Sequence, residues 1–511
     1  MKTVRTRSLF MGTALIPVSE RRLGSRGSQL CSVSEDPPNS VVFPVIGEGK
    51  LESTMRICQA PEFGGRYQAG GLVLAVLVGA IIGCTSEPPQ FDLNEVALRK
   101  TEITQDASLS LEYQIDPIAK ILSENFGTPD DPKVPEFDYE ELFPDLYEDP
   151  ESLDEDEKAK LEVEQSSIKD LLKIDMLKMA AGPYGSEEDG SPRGLYRQHC
   201  VHCHGINGDG AGPTAAFLNP YPRDFRMGKF KWKSTKTGVP PTHDDLKRII
   251  MNGAPGTAMP SFKLLPEEEV EALVQYVKYL TIRGESERNL LMEFSQLDAA
   301  VAKPAEKRNE EEKEYIKEMS PEELAEAKED LKAEVEELTE YARMDFILPV
   351  YEKWRDAEPT EVPARPDWDL DESIAAGKVL FFGKGGCATC HGQSGLGDGQ
   401  TAEMFYDDWT EDFFDPKAPD NLEEFLALGA LPPRKLDPRN LRLGNFRGGR
   451  RPVDVYWRIK NGIEGAKMPA AAYDLQDEDV WHLVDFVLKG LPYDSLSQPS
   501  LHEQENIRLR N

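Results

Sequence analysis

The sequence predicts a mainly α-helical protein in which one module of roughly 100 residues occurs twice, the copies joined by a charged helical linker and preceded by an acidic, partly disordered arm. Three observations predict it. Two C-x-x-C-H segments, CVHCHG from Cys200 and CATCHG from Cys387, stand among the same flanking features in the same order. The span between them carries a helix start and an apolar stripe at steps of three and four. No strand-rich pattern surrounds either pair.

In chain order, the first feature is GGLVLAVLVGAIIG, from Gly70 to Gly83, fourteen apolar or small residues with Arg56 and Arg66 upstream. That is short for a bilayer span and suits the core of an export signal. The run ends at Ile81-Ile82-Gly83-Cys84 before a polar stretch, which resembles the lipobox of bacterial lipoproteins, where the cysteine carries the lipid. The expected division is an uncertain leader (1–54), a signal peptide (55–83) and a mature chain from Cys84; a short uncleaved anchor is the alternative, and translation from Met55 would remove the leader. Either reading puts the body of the chain in the periplasm or on the extracytoplasmic face of a membrane.

Residues 84–185 form the acidic arm. Its proline- and carboxylate-rich stretches cannot bury enough apolar area for a core of their own, and only Ile168 to Ala181 reads as helix. Residues 286–370 form the linker, where Ser320 as N-cap, Pro321 at the first helical position and Glu323 make a capping box. Leu324, Ala327, Leu331, Val335, Leu338 and Ala342 then give one stripe to lie on a neighbouring surface. The net charge of −33, with 30% charged residues, argues against a nucleic-acid partner, because phosphate binding needs a basic surface.

The modules occupy 186–285 and 371–493, with a tail at 494–511. Each opens on a short apolar helix, Leu195-Tyr196 or Leu380-Phe381, ahead of its C-x-x-C-H. A Gly-Asp-Gly follows in both (208–210 and 397–399), then YPRDFRMGKF or DPRNLRLGNF, which aligns Pro222 with Pro438 and Gly228 with Gly444. An Asn-Gly leads six residues after its glycine to Met259-Pro or Met468-Pro, and a helix closes each copy.

Four of the seven cysteines lie in the two pairs. A thioredoxin-like site wants a βαβ setting, which is missing. Zinc wants four ligands in reach, and Cys203 and Cys387 are 184 positions apart in separate copies. A phosphate loop needs a preceding strand. Haem attachment accounts for every repeated part: Cys200 and Cys203, or Cys387 and Cys390, bond the vinyl groups, while His204 or His391 ligates the iron. A second strong ligand is then needed, and Met259 and Met468 recur at aligned positions, whereas Met227, Met251 and Met404 do not.

Each copy thus resembles a class I cytochrome c domain. The resemblance implies that the backbone oxygens of Pro222 and Pro438 hold the histidine rings, and that Tyr276 and Phe486 cross the first helices near Tyr196 and Phe381. Two departures accompany it. Pro192 stands where the family often has a helix-crossing glycine, so the first helix of copy one should begin late. Met468 follows His391 by 77 positions, against 55 between His204 and Met259, and the surplus includes the aromatic and acidic insertion at 405–425, read as a lid or a docking surface.

Two basic stretches, Arg226 to Lys236 and Arg434 to Arg451, read either as counter-charges for haem propionates or as a docking rim for a redox partner. The expected function is one-electron transfer by two covalently bound, His/Met-ligated haems of a lipid-anchored protein that serves a membrane oxidase, reductase or dehydrogenase. The architecture is similar to dihaem subunits of cbb3-type oxidases and related respiratory complexes. A dihaem peroxidase and the haem subunit of a periplasmic dehydrogenase are the alternatives, and no stand-alone catalysis is expected.

Overall fold

The computed structural model describes residues 88–137 and 154–491, except 106, 298, 304, 306, 307, 400–405, 407–418 and 473. The leader, Cys84, Met404 and most of the insertion lie outside the described residues. Among the described residues no helix is long and apolar enough to cross a membrane.

The arm contributes α1 (Glu95–Thr104), α2 (Asp116–Phe126), α3 (Glu155–Lys169) and α4 (Ile174–Ala180). The first module holds α5 (Leu195–His199), α6 (Val201–His204), α7 (His243–Asn252) and α8 (Glu267–Phe294). The linker supplies α9 (Glu310–Glu318), α10 (Pro321–Ala342) and α11 (Leu348–Arg355). The second module holds α12 (Leu370–Phe382), α13 (Ala388–His391), α14 (Pro419–Ala427), α15 (Pro452–Asn461) and α16 (Asp477–Asp485). The described sheet is a two-stranded hairpin, Gly185–Ser186 against Pro192–Arg193.

The long helix α8 is the spine of the first half. It continues through residue 285, where the sequence suggests a boundary, and it is buried on nearly every face from Val270 to Leu291. Such a helix needs neighbours all round. The module lies on one side; arm helices α2 and α4 and linker helices α10 and α11 cover the others, and all share one core.

The arm is therefore far more helical than its composition suggests. Ile118, Leu122 and Phe126 of α2 are essentially unexposed in that core, so the area the arm cannot bury within itself it buries against α8. A capping box between Asp154 and Glu157 starts α3, a signature the acidic run conceals. The helix expected from Ile168 to Ala181 is broken between Lys169 and Ile174. The linker stripe reads as expected: Ser320 and Glu323 form the capping box, Leu331, Val335 and Ala342 are buried, and Leu324, Ala327 and Leu338 pack against the same core.

Two buried carboxylates lock these layers. Glu287 pairs with Arg283 at 3.1 Å and accepts the main-chain N–H of Asn94 from the arm. Glu285 accepts the Trp354 indole N–H at 2.9 Å and pairs with Lys353, fastening α11. The chain then runs extended from 357 to 369 between the modules. There the Thr360 N–H donates to the Ser234 carbonyl and the Trp457 indole to the Thr360 carbonyl, both at 2.9 Å.

Across the interface, the Asn461 carboxamide donates to the carbonyls of Ser234 and Thr235 at 3.0 and 3.1 Å. Arg434 stacks over Tyr221 at 3.7 Å, and Lys233 pairs with Glu464.

Replacing Glu285 by Ala strips the Trp354 N–H and the Lys353 ammonium of their shared acceptor, at a cost of about 1–3 kcal/mol. Limited proteolysis should then cut the chain between 343 and 369 faster than in the parent, at unchanged sites.

Candidate functional site

In the first module the C-x-x-C-H segment is a single helical turn, α6, entered from α5. Helix α5 begins only at Leu195, after Gly194 in the left-handed region, so it is as late and short as Pro192 implies. Its counterpart α12 is a full thirteen residues. It crosses α16 at Gly377, where an added Cβ would fall 2.0 Å from the His482 carbonyl. The aromatic crossings take the expected partners: Tyr196 meets Tyr276 at 4.8 Å and Phe381 meets Phe486 at 5.3 Å between ring centres.

Each histidine is held by one hydrogen bond. His204 Nδ1 lies 3.0 Å from the carbonyl of Arg223, and His391 Nδ1 lies 3.0 Å from the carbonyl of Arg439. A carbonyl only accepts, so Nδ1 carries the proton, and a neutral ring then presents Nε2 as a bare lone pair. Burial pushes His204 down to about 4, against the opposing pull of the Arg223 hydrogen bond, and burial likewise lowers His391. Both imidazoles are neutral donors near pH 7.

The acceptors correct the expectation for Pro222 and Pro438. Their carbonyls point instead at Gly210 and Gly397, where an added Cβ would stand 2.7 and 2.3 Å from the oxygen. The proline ring still lines the crevice in the first module, while the next residue turns its carbonyl to the histidine. The glycine register shifts as well. Gly210 and Gly397 donate to the carbonyls of His204 and His391, and Gly212 and Gly399 to those of Cys203 and Cys390. The repeating unit is thus Gly-x-Gly-x-Gly, 208–212 with 395–399, and the two Gly-Asp-Gly triplets are offset by two residues.

The methionine loops repeat in the same detail. Ala254 and Ile463 donate to the carbonyls of Met259 and Met468 at 3.2 and 3.0 Å, and Phe262 and Ala471 return to Ile250 and Ile459. Met259 lines one crevice with Cys200, Cys203 and His204, and apolar walls including Phe225, Leu246 and Ile250 complete it. Phe225 stacks on the His204 ring at 4.6 Å and 13°. His199 and His202 also border this crevice; His199 packs on Phe262, and His202 is exposed.

None of the four cysteines of these segments is in a disulfide. Burial pushes Cys200 up to about 12 and Cys387 up to about 11, so both are protonated near pH 7. Among the described residues no group of three or more His, Cys, Asp and Glu converges on one point. Neutral thiols beside a neutral imidazole, a thioether in the same crevice and apolar walls fit a covalently held, flat apolar macrocycle with an iron at its centre.

Several cations of the basic stretches are engaged within the fold. Arg226 pairs with Asp224 and Arg451 with Asp454; Arg442 donates to main-chain carbonyls of its own module, and Lys233 and Arg434 reach the other one. At the end of the insertion, Glu424 of α14 pairs with Arg99 of the arm at 2.7 Å.

Comparison with known proteins bears on both modules. A family model described as cytochrome C oxidase, cbb3-type, subunit III, matches residues 187–277 and 372–487 and leaves the arm and linker unmatched. No curated protein is significantly similar in sequence. Among solved structures, a chain of the reducing HAO-like protein complex of Kuenenia stuttgartiensis is 23% identical over 61% of this chain and 98% of its own, with a TM-score of 0.36.

Gly397→Ala adds a Cβ against the Pro438 carbonyl at a left-handed φ of 81° and should destabilise the second module by about 1–3 kcal/mol. Gly386→Ala, at a φ of 62° with open space around it, should cost distinctly less. Urea denaturation of the two variants, side by side, checks the difference.

Proposed function

We propose, from the premise that the chain is a tandem cytochrome c protein with covalently attached haem c in electron transfer, that it is a dihaem carrier passing single electrons between redox partner proteins. Cys200 and Cys203 attach one haem and Cys387 and Cys390 the other. His204 and His391 would offer Nε2, and Met259 and Met468 their thioethers, as ligands to the two irons. A haem held by these residues would supply a one-electron couple. The chain's part is to hold each imidazole neutral, exclude water with the crevice walls and keep the two modules in contact.

The observation that carries this reading is the duplication of the whole arrangement. Histidine to carbonyl, glycine to C-x-x-C-H turn and Met-loop carbonyl to helix end are all made twice at equivalent positions. A peroxidase would need one module to differ at its distal ligand, and both keep the same Met-Pro loop.

The setting we infer is the extracytoplasmic face of a membrane, with Cys84 lipid-modified. The partners are an oxidase, reductase or dehydrogenase of a respiratory chain. The export-type leader and the description of the matching family support this.

Intact mass under denaturing conditions should give two haems per chain. Met259→Ala and Met468→Ala should each lower one midpoint potential on the order of 100 mV, a fraction of the ~0.8 V that axial ligands span, and each should open one site to carbon monoxide. A single haem, or strong carbon monoxide binding by the reduced parent protein, would sink the proposal.

A further inference from the structure

Equivalent positions of the two modules meet across their interface, as residues do on a two-fold axis. The alignment that pairs Gly228 with Gly444 makes Lys231 the counterpart of Arg447 and Trp232 the counterpart of Gly448. Trp232 lies directly on Gly448, where an added Cβ would come 2.7 Å from the Trp232 Cβ. Farther along, where the modules align by Asn252 with Asn461 and Met259 with Met468, Arg248 stands over the ring of its counterpart Trp457 at 5.7 Å. The consequence is a crossing: Arg447, a residue of the second module, lines the crevice of the first, in company with Lys231.

The charged part of that lining is mostly cationic. It holds Arg223, Lys231 and Arg447 with one carboxylate, Asp245. Asp245 is already engaged by the Ser234 N–H and hydroxyl, at 2.8 and 2.7 Å, and by Arg248 at 2.7 Å. A haem brings two carboxylates of its own, its propionates, and a guanidinium is the side chain best shaped to receive a carboxylate through paired N–H donors.

We propose that Arg447 is a cofactor-binding residue for the first module, a cation supplied to the propionates of one haem by the domain that carries the other. The inference rests on the dihaem reading above. Oxidation adds positive charge at the iron, so a nearby cation favours the reduced form. Docking of the second module therefore raises the potential of the first haem, and the order of the two haems depends on their interface as well as on their ligands.

The test is spectroelectrochemical titration of the full-length holoprotein, after its covalent haems have been counted by mass. Met259→Ala identifies the wave of the first module. Arg447→Gln should then lower that wave alone, by a shift of the redox equilibrium of about tenfold, or about 59 mV for one electron, and Arg447→Lys should restore most of it. An unmoved first wave in Arg447→Gln, or an equal fall in Arg447→Lys, would overturn the assignment of Arg447 while leaving two haems in place. A count of one haem would instead remove the dihaem reading before any titration.

Discussion

Both modules depend on one hydrogen bond, from Nδ1 of a histidine in the crevice wall to a main-chain carbonyl two residues before a 3₁₀ turn. It fixes the tautomer, and with it the nitrogen offered to a metal. The loop must be bent tightly to deliver that carbonyl. Gly210 and Gly397 permit the bend because the preceding proline's oxygen occupies the space a side chain would need, and Gly228 and Gly444 close the turns in the left-handed region. Desolvation then keeps the ring uncharged, so the geometry that places the ligand also sets its protonation.

Around the first module this chain adds a second layer. Helix α8 extends well past the length its module requires, and the added turns give the arm and the linker a common surface. The buried carboxylates Glu285 and Glu287 are satisfied by partners from different layers. Removing one partner would leave a buried carboxylate short of a donor, so these contacts tie the arm and the linker to α8. The extended stretch after α11 then reaches the second module beside Ser234 and Asn461, so the linker is part of the interface between the modules.

Much of this was legible in the sequence because covalent and ligand chemistry constrain residue type. The C-x-x-C-H segments, the aligned Met-Pro loops and the capped helix from Ser320 follow from residue identity and period, and the aromatic crossings of Tyr196 with Tyr276 and Phe381 with Phe486 from the resemblance to a class I cytochrome c domain. What escaped was carried by the backbone or by distance. The carbonyl acceptors of His204 and His391 belong to Arg223 and Arg439, where side-chain identity says nothing, so the reading fell one residue short at Pro222 and Pro438. The glycine register is obscured by Asp209 and Asp398, which make two like triplets at positions that are not equivalent, whereas the spacing of the glycines repeats. The helices of the arm were hidden because their burial depends on α8, more than a hundred residues downstream, and the place of Arg447 depends on an interface that no local pattern encodes.

The central claim is that two like modules are docked so that an electron entering one reaches the other within the same molecule. Rapid reduction of the oxidised holoprotein by less than one electron per chain, followed optically, tests it most directly. The account predicts a redistribution between two spectrally distinct haems at a rate independent of protein concentration. Redistribution that scales with protein concentration, or none at all, would contradict it.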